Sequence, residues 1–268
     1  MAILGTTSAI NVQSNLGHAQ YDSFQANFVR KFSNGFQYTF AYTFSKTINW
    51  WAGSIPQPQY WALNKAVASS NVPHLFNATF SYALPFGSGK PLLQHGVLSR
   101  IAGGWQVNGF LNIRSGLPFT VTSSSASLNA GTGTNQQADQ VKANVATLGG
   151  IGSSAAYFDV TAFAPVTAVR FGTAGFNSLY GPGAANLDAS VFREFRFRER
   201  MNLQFRAEAL NATNTPHFSN PAANVSNLQL NSDGSVKNLN GFGVITSTTR
   251  TGRQYDEREI RLSVHFAF

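Results

Sequence analysis

Hydrophobic and polar positions alternate with a period of two along most of the chain. Strict alternation marks a strand with two unlike faces, because successive side chains leave opposite sides of a pleated backbone. Phe24, Ala26 and Phe28 share one face, with Ser23, Gln25 and Asn27 opposite. After a turn at Ser33-Asn34-Gly35, Phe36, Tyr38, Phe40, Tyr42 and Phe44 alternate with Gln37, Thr39, Ala41, Thr43 and Ser45. Phe76, Ala78, Phe80, Tyr82 and Leu84 then alternate with Asn77, Thr79, Ser81 and Ala83. Trp105, Val107, Leu111 and Ile113 oppose Gln106, Asn108, Asn112 and Arg114, and the pattern continues past Pro118 through Phe119 and Val121. From Asn186, Leu187, Ala189 and Val191 face one way until the phase slips at Phe192-Arg193, which predicts a β-bulge. Met201, Leu203, Phe205, Ala207 and Ala209 alternate with Asn202, Gln204, Arg206 and Glu208. Ile260, Leu262, Val264, Phe266 and Phe268 alternate with Arg261, Ser263, His265 and Ala267. The predicted strands are 21–32, 36–46, 74–84, 104–122, 186–198, 201–211 and 258–268.

Most of these segments run about 9–12 residues, close to the roughly 9–11 of a tilted membrane-spanning strand. Two connections are tight, at Ser33-Asn34-Gly35 and Arg198-Glu199-Arg200. Three others, 46–73, 123–185 and 211–257, are long, rich in Gly, Ser and Asn, and nearly free of charge. Compact soluble domains rarely carry structureless connections beyond about 12–15 residues. Short turns at one rim and long loops at the other are the habit of outer-membrane barrels. Two readings of the apolar face stand at this point. It is either the core of a soluble β-sandwich or jelly roll, or a lipid-facing wall opposite a polar lumen. In the second reading Trp50, Trp51 and Trp105, at strand ends, are interfacial aromatics, and Arg206, Glu208, Arg261 and His265 line the lumen.

Composition favours the wall. Charged residues are 11% of the 268 positions and aromatics 13%, against roughly 25% charged residues in an ordinary soluble domain. Abundant aromatics with few charges exclude a disordered chain. No apolar run approaches the roughly 20 residues of a spanning helix. The net charge of +8 comes from 19 basic and 11 acidic residues spread along the chain, and no recognition motif accompanies it, so nucleic acid is not an expected partner. Cysteine is absent, which removes disulfides and thiolate metal sites.

Catalytic chemistry finds no support. Gly87-Ser88-Gly89-Lys90-Pro91 lacks the earlier Gly and the following Ser/Thr of a phosphate loop and reads as a turn. Gly131-Thr132-Gly133 has no flanking strand and helix. His18, His74, His95, His217 and His265 have no zinc-ligand spacing, and carboxylates are too sparse to nominate an acid–base pair. No cofactor, metal or catalytic residue is expected, and the chain is not expected to be an enzyme. Arg206 and Glu208 form an i, i+2 pair on one strand face, expected to belong to a ladder of charges between neighbouring strands.

The final strand, apolar at every second position back from a C-terminal Phe, is similar to the insertion signal of bacterial outer-membrane barrels. Ile260, Leu262, Val264, Phe266 and Phe268 are its positions here. More widely, the chain resembles the C-terminal part of TonB-dependent outer-membrane receptors of the Oar-like type abundant in acidobacteria. The resemblance runs from about Tyr21 to Phe268 and rests on the order of several segments. They are Tyr21-Asp22-Ser23-Phe24-Gln25, Phe40-Ala41-Tyr42-Thr43-Phe44-Ser45-Lys46, Leu84-Pro85-Phe86-Gly87 and Gly103-Gly104-Trp105-Gln106-Val107. Ser115-Gly116-Leu117-Pro118-Phe119, Gly181-Pro182-Gly183, Asn186-Leu187-Asp188, Leu203-Gln204-Phe205-Arg206-Ala207-Glu208 and Asn211-Ala212-Thr213-Asn214-Thr215-Pro216-His217-Phe218 complete the set.

The resemblance implies an all-β, antiparallel transmembrane β-barrel segment in the bacterial outer membrane, about seven strands of a larger barrel. Such transporters have about 22 strands, together with a plug, a TonB box and a signal peptide that have no counterpart here. Residues 1–268 are then a partial barrel domain, with 1–20 a loop remnant. An odd strand count agrees, since bacterial single-chain barrels have even numbers with both ends periplasmic. The implied partners are outer-membrane lipid, the barrel-assembly machinery, an unspecified substrate, and TonB only through the missing plug. A small complete porin or adhesin-like barrel is the competing expectation; it predicts an extra strand near Ala9-Ile10-Asn11-Val12.

Overall fold

The computed structural model describes residues 17–50, 55, 58–124, 136–152, 155–198, 201–249 and 256–268. Ala9-Ile10-Asn11-Val12 and the Glu199-Arg200 corner lie outside the described residues. Seven long strands appear where the alternation predicts them: β1 (Ala19–Ser33), β2 (Phe36–Asn49), β3 (His74–Ala83), β4 (Trp105–Arg114), β5 (Ala184–Arg198), β6 (Met201–Leu210) and β7 (Glu259–Ala267). They form one antiparallel sheet in chain order, with the two-residue strand Ala66–Val67 added beside the end of β2. Among the described residues β1 and β7 do not pair with each other, and no further strand pairs with the outer side of either.

Register carries each strand's pattern across the whole sheet. Phe28 lies opposite Phe40, Tyr38 opposite Phe80, Phe76 opposite Ile113, Leu111 opposite Leu187, Val191 opposite Ala207, and Leu203 opposite Phe266. One face is therefore apolar from edge to edge. Aromatic rings pack along it, with Tyr38 stacked on Phe40 at 4.7 Å and Phe36 edge-on to Tyr82 at 5.6 Å. Gly109 makes room for this layer: a Cβ there would stand 2.3 Å from the Phe80 ring. Between β1 and β2 the Asn34-Gly35 pair has φ of 53° and 80°, the two positive angles of a type I′ hairpin turn that matches strand twist.

Two strand-level expectations are corrected. Strand β4 ends at Arg114 and does not continue through Val121. Past Gly116 the chain runs against Gly181 so closely that a Cβ on Gly116 would lie 1.8 Å from the Gly181 carbonyl oxygen. Pro118–Phe119 then forms a separate two-residue ladder with Leu179–Tyr180. There is also no bulge at Phe192-Arg193, because β5 stays in register there with both β4 and β6, and the register shift falls between Arg196 and Arg198. The slip is chemical: Arg193 occupies a place on the apolar face, and its guanidinium lies 4.1 Å over the Phe195 ring and donates to the backbone oxygens of Ile101, at 2.6 Å, and Arg100.

The buried core lies away from the sheet. Phe119, Val121, Ala138, Phe158, Val160, Ala162, Phe163, Ala174, Val225 and Phe242 form one cluster, contributed entirely by the connections 115–183 and 211–258, which are the second and third long connections once β4 ends at Arg114. Phe158 is 2% exposed and Val121 fully buried, whereas Phe24 on the sheet is 63% exposed and Leu262 79%. The described parts of the long connections are thus built segments and not structureless loops. They carry short ladders such as Asp139–Gln140 with Phe163–Ala164, and the 3-10 turns Val160–Ala162 and Val225–Asn227, capped by Asp159 and Asn224. Antiparallel order puts all three at one end of the sheet, the loop end. At the opposite, turn end sit Asn34-Gly35 and the 84–104 connection, which contains helix α1 (Gly96–Ala102). Among the described residues no helix is long and apolar enough to cross a membrane.

Candidate functional site: a two-faced sheet under a folded loop cap

The face opposite the aromatic layer is polar and laced with hydrogen bonds. The Asn112 side chain donates to Asn77 at 2.7 Å, and Gln106 donates to Ser81 at 2.5 Å and to Asn108 at 3.1 Å. Asn108 donates onward to Ser190 on β5 at 3.3 Å. A hollow of about 510 Å³ opens beside Lys31, Gln37, Thr39, Thr79, Ser81 and Asn108. Amides and hydroxyls bond one another along and across the strands, on a face whose density of polar side chains suits contact with water more than a dry core.

Arg206, Glu208, Arg261 and His265 all lie on this polar face, on β6 and β7. Glu208 is in register with Arg261, and Gln204 with His265. Arg206 and Glu208 form an ion pair at 2.7 Å along their own strand, and Arg261 pairs at 2.7 Å with Glu259, two residues before it. The shortest ion pairs run along the strands, and Glu208 and Arg261 face each other directly across them, as the expected ladder places them. Staggered guanidinium groups reach a carboxylate two residues away as readily as one across the 5 Å or so between strands.

The aromatics expected at the rims fall at opposite ends of the strands. Trp50 follows β2 at the loop end, with the Lys65 ammonium 5.3 Å over its ring. Trp105 opens β4 at the turn end, where its indole N–H donates to the Ile101 carbonyl at 3.0 Å. Trp51 lies outside the described residues. Ile260, Leu262, Val264 and Phe266 occupy the apolar side of β7, the outer strand at one edge, Phe268 directly follows the strand, and all five are exposed.

At the loop end the three connections bind one another into a cap. Asn177 donates to the Val67 carbonyl at 2.7 Å, and Asn71 donates to the Tyr180 hydroxyl at 3.2 Å. Thr122 N–H donates to Ala223 at 2.8 Å and Tyr157 N–H to Gly243 at 2.8 Å, which joins the second connection to the third. On the cap surface Arg170 grips Asp139 with two bonds of 2.7 Å, and Lys142 reaches Asp159 at 2.7 Å. These cations hold both carboxyls below the ordinary carboxylate range, chiefly through the hydrogen bonds. Burial alone pushes the Tyr157 phenol up.

Sequence reasoning missed the buried pair that anchors the cap to the sheet. His217 is 1% exposed; its Nδ1 lies 2.6 Å from Asp256 Oδ1, and its backbone N–H donates to Asp256 Oδ2 at 2.7 Å. Its Nε2 donates to the Ala185 carbonyl at the head of β5, at 3.2 Å. His217 and Asp256 stand 39 residues apart with no ligand-type spacing, so nothing local announces them. Gly87-Ser88-Gly89-Lys90 is a turn, with Lys90 N–H donating back to Gly87 at 3.1 Å. Among the described residues no group of three or more His, Asp or Glu is placed to hold a metal ion.

An apolar face that runs across seven strands, exposed toward both edges and half-buried at the centre, a hydrogen-bonded polar face and one capped end are the features of a membrane wall. The profile of the outer membrane beta-barrel domain matches residues 3–259, ending where β7 begins. Comparison with curated proteins and with solved structures returns no match. The chain belongs to the outer membrane β-barrel domain family, and its place is the bacterial outer membrane.

Proposed function

We propose that this chain is the C-terminal sector of a TonB-dependent receptor of the Oar-like type. It contributes barrel wall, extracellular loops and assembly signal, and has no catalytic role. The observation that carries this reading is that, among the described residues, the outer edges of β1 and β7 have no strand partner. Unpaired N–H and C=O groups cannot be left facing hydrocarbon, and seven strands form a sector whose wall other strands must complete. In this reading the turn end is periplasmic and the cap extracellular, where substrate first meets the receptor. Arg206, Glu208, Arg261 and His265 face the lumen. Phe268 and the apolar positions before it on β7 meet the assembly machinery, and coupling to TonB runs through a plug domain. Two experiments test the reading. The reading frame upstream of Met1 is expected to encode further alternating strands and a plug, and a ribosome-binding site immediately before Met1 would refute the receptor assignment. In planar bilayers the 268-residue chain alone is expected to give no discrete channel; a sealed monomeric conductance would refute the sector.

A further inference from the structure

Outside the strands, the densest exposed apolar patch of the described residues belongs to the 84–104 connection. Leu92, Leu93, Val97, Leu98 and Ile101 are 44–72% exposed. Val97 and Ile101 are four residues apart and Leu98 and Ile101 three, so they share one side of α1. The connection is firmly built. Phe86 and Leu92 form a bridge, and Gly87 and Gly103 pass so closely that a Cβ on Gly103 would stand 2.8 Å from the Gly87 Cα.

The helix is also held in a definite place. Arg193 and Trp105 belong to the apolar side of β5 and β4, and both donate to carbonyls at the carboxyl end of α1. Those carbonyls lack partners within a helix, and a cation there also opposes the helix dipole. Helix α1 is thereby fastened beside the lipid-facing surface, at its turn-end rim. Residues 84–104 contain Lys90 and Arg100 and no acidic residue. Neither side chain has a bonded partner among the described residues, and Arg30 and Lys31 end the neighbouring hairpin strand at the same rim.

We propose that α1 is an interfacial anchor: Val97, Leu98 and Ile101 sink among the acyl chains bordering the wall, and Lys90 and Arg100 hold the phosphates of anionic phospholipid. Continuity with the exposed apolar face and the one-signed charge of the connection select this occupant. The inference rests on the membrane orientation of that face.

The cysteine-free chain allows a single label. Leu98→Cys and, separately, Leu262→Cys would carry an environment-sensitive fluorophore in the full chain refolded into vesicles. The vesicles are phosphatidylcholine alone or phosphatidylcholine with phosphatidylglycerol, each with acyl-chain-brominated quencher. Both labels are expected to shift to the blue and be quenched. The Leu98 response should be stronger with phosphatidylglycerol and fall back to the phosphatidylcholine level in K90Q/R100Q. A lipid-exposed Leu262 label beside a water-exposed Leu98 label would overturn the anchor alone. Two water-exposed labels would overturn the orientation of the sheet face and the anchor with it. A Leu98 response equal in both lipids would overturn the anionic partner. Shielding that grows with protein concentration in micelles would assign the patch to a second copy.

Discussion

Replacing Phe158 by Ala tests whether the three long connections really form one cooperative body. Phe158 is 2% exposed, and its ring centroid lies 5.8 Å from that of Phe119, 5.8 Å from Phe163 and 5.5 Å from Phe242. Phe119, Phe158 and Phe163 come from the second connection and Phe242 from the third, so one truncation removes the packing between segments that have no local reason to stay together. A buried Phe→Ala change costs about 3–5 kcal/mol. The edge-on contacts with Phe163 and Phe242, each worth about 0.5–1.5 kcal/mol beyond area, put this site in the middle of that range or above. At about 4 kcal/mol the open population of the cap rises nearly a thousandfold. Hydrogen–deuterium exchange of the refolded full chain reads this directly. The amides of Thr122, Ala138, Tyr157 and Ala174, bonded to Ala223, Val121, Gly243 and Ala138, should exchange far faster in the variant. Amides inside β4 and β5, which pair with both neighbours, should keep their wild-type rates. Unchanged exchange at the four cap amides would refute a shared core. Equal loosening of cap and strands would refute its separateness from the sheet.

Further predictions concern the faces, the sheet packing and pH. Leu262→Arg, at the middle of β7 on the apolar side, should lower bilayer stability by about 2–4 kcal/mol, whereas Ser263→Arg on the polar side should cost far less; equal losses in urea titrations of vesicle-inserted protein would refute the face assignment. Gly109→Ala drives a Cβ into the Phe80 ring and should cost about 1–3 kcal/mol by overpacking, read as an earlier urea midpoint. His217→Leu leaves Asp256 buried without its imidazole and should cost about 3–5 kcal/mol, measured as protease sensitivity of the cap. The Asp139 and Asp159 carboxyls are depressed in the folded chain, so their contribution is full above the unfolded value near 3.9 and is lost as pH falls through the lower folded values. Cap proteolysis should therefore rise on that acid side, and Arg170→Gln should raise it already at neutral pH and flatten part of the acid-side rise.

Strand existence, strand faces and the first hairpin turn were legible because each is decided within a few residues. Phe36, Tyr38, Phe40, Tyr42 and Phe44 point one way by pleat geometry alone, and Asn34-Gly35 supplies its own positive φ angles. The polar-face positions of Arg206, Glu208, Arg261 and His265 followed from the same parity. Where a distant partner decides, the pattern misled. Arg193 looked like a lost register because the carbonyls it seeks, on Arg100 and Ile101, lie over ninety residues away. The run through Pro118 to Val121 looked like more of β4 because alternation says nothing of Gly181 crowding Gly116.

The alternating sequence by itself determined an antiparallel wall with one apolar and one polar face, since a side chain's direction from a strand depends only on its parity. The tertiary structure alone decided where the buried core lies. Phe119, Phe158, Val225 and Phe242 share no period and stand far apart in the chain, and only the sheet, by delivering three long connections to one end, brings them together. His217 and Asp256 meet for the same reason. Their pairing depends on where two strands end, a distance that no local pattern of residues encodes.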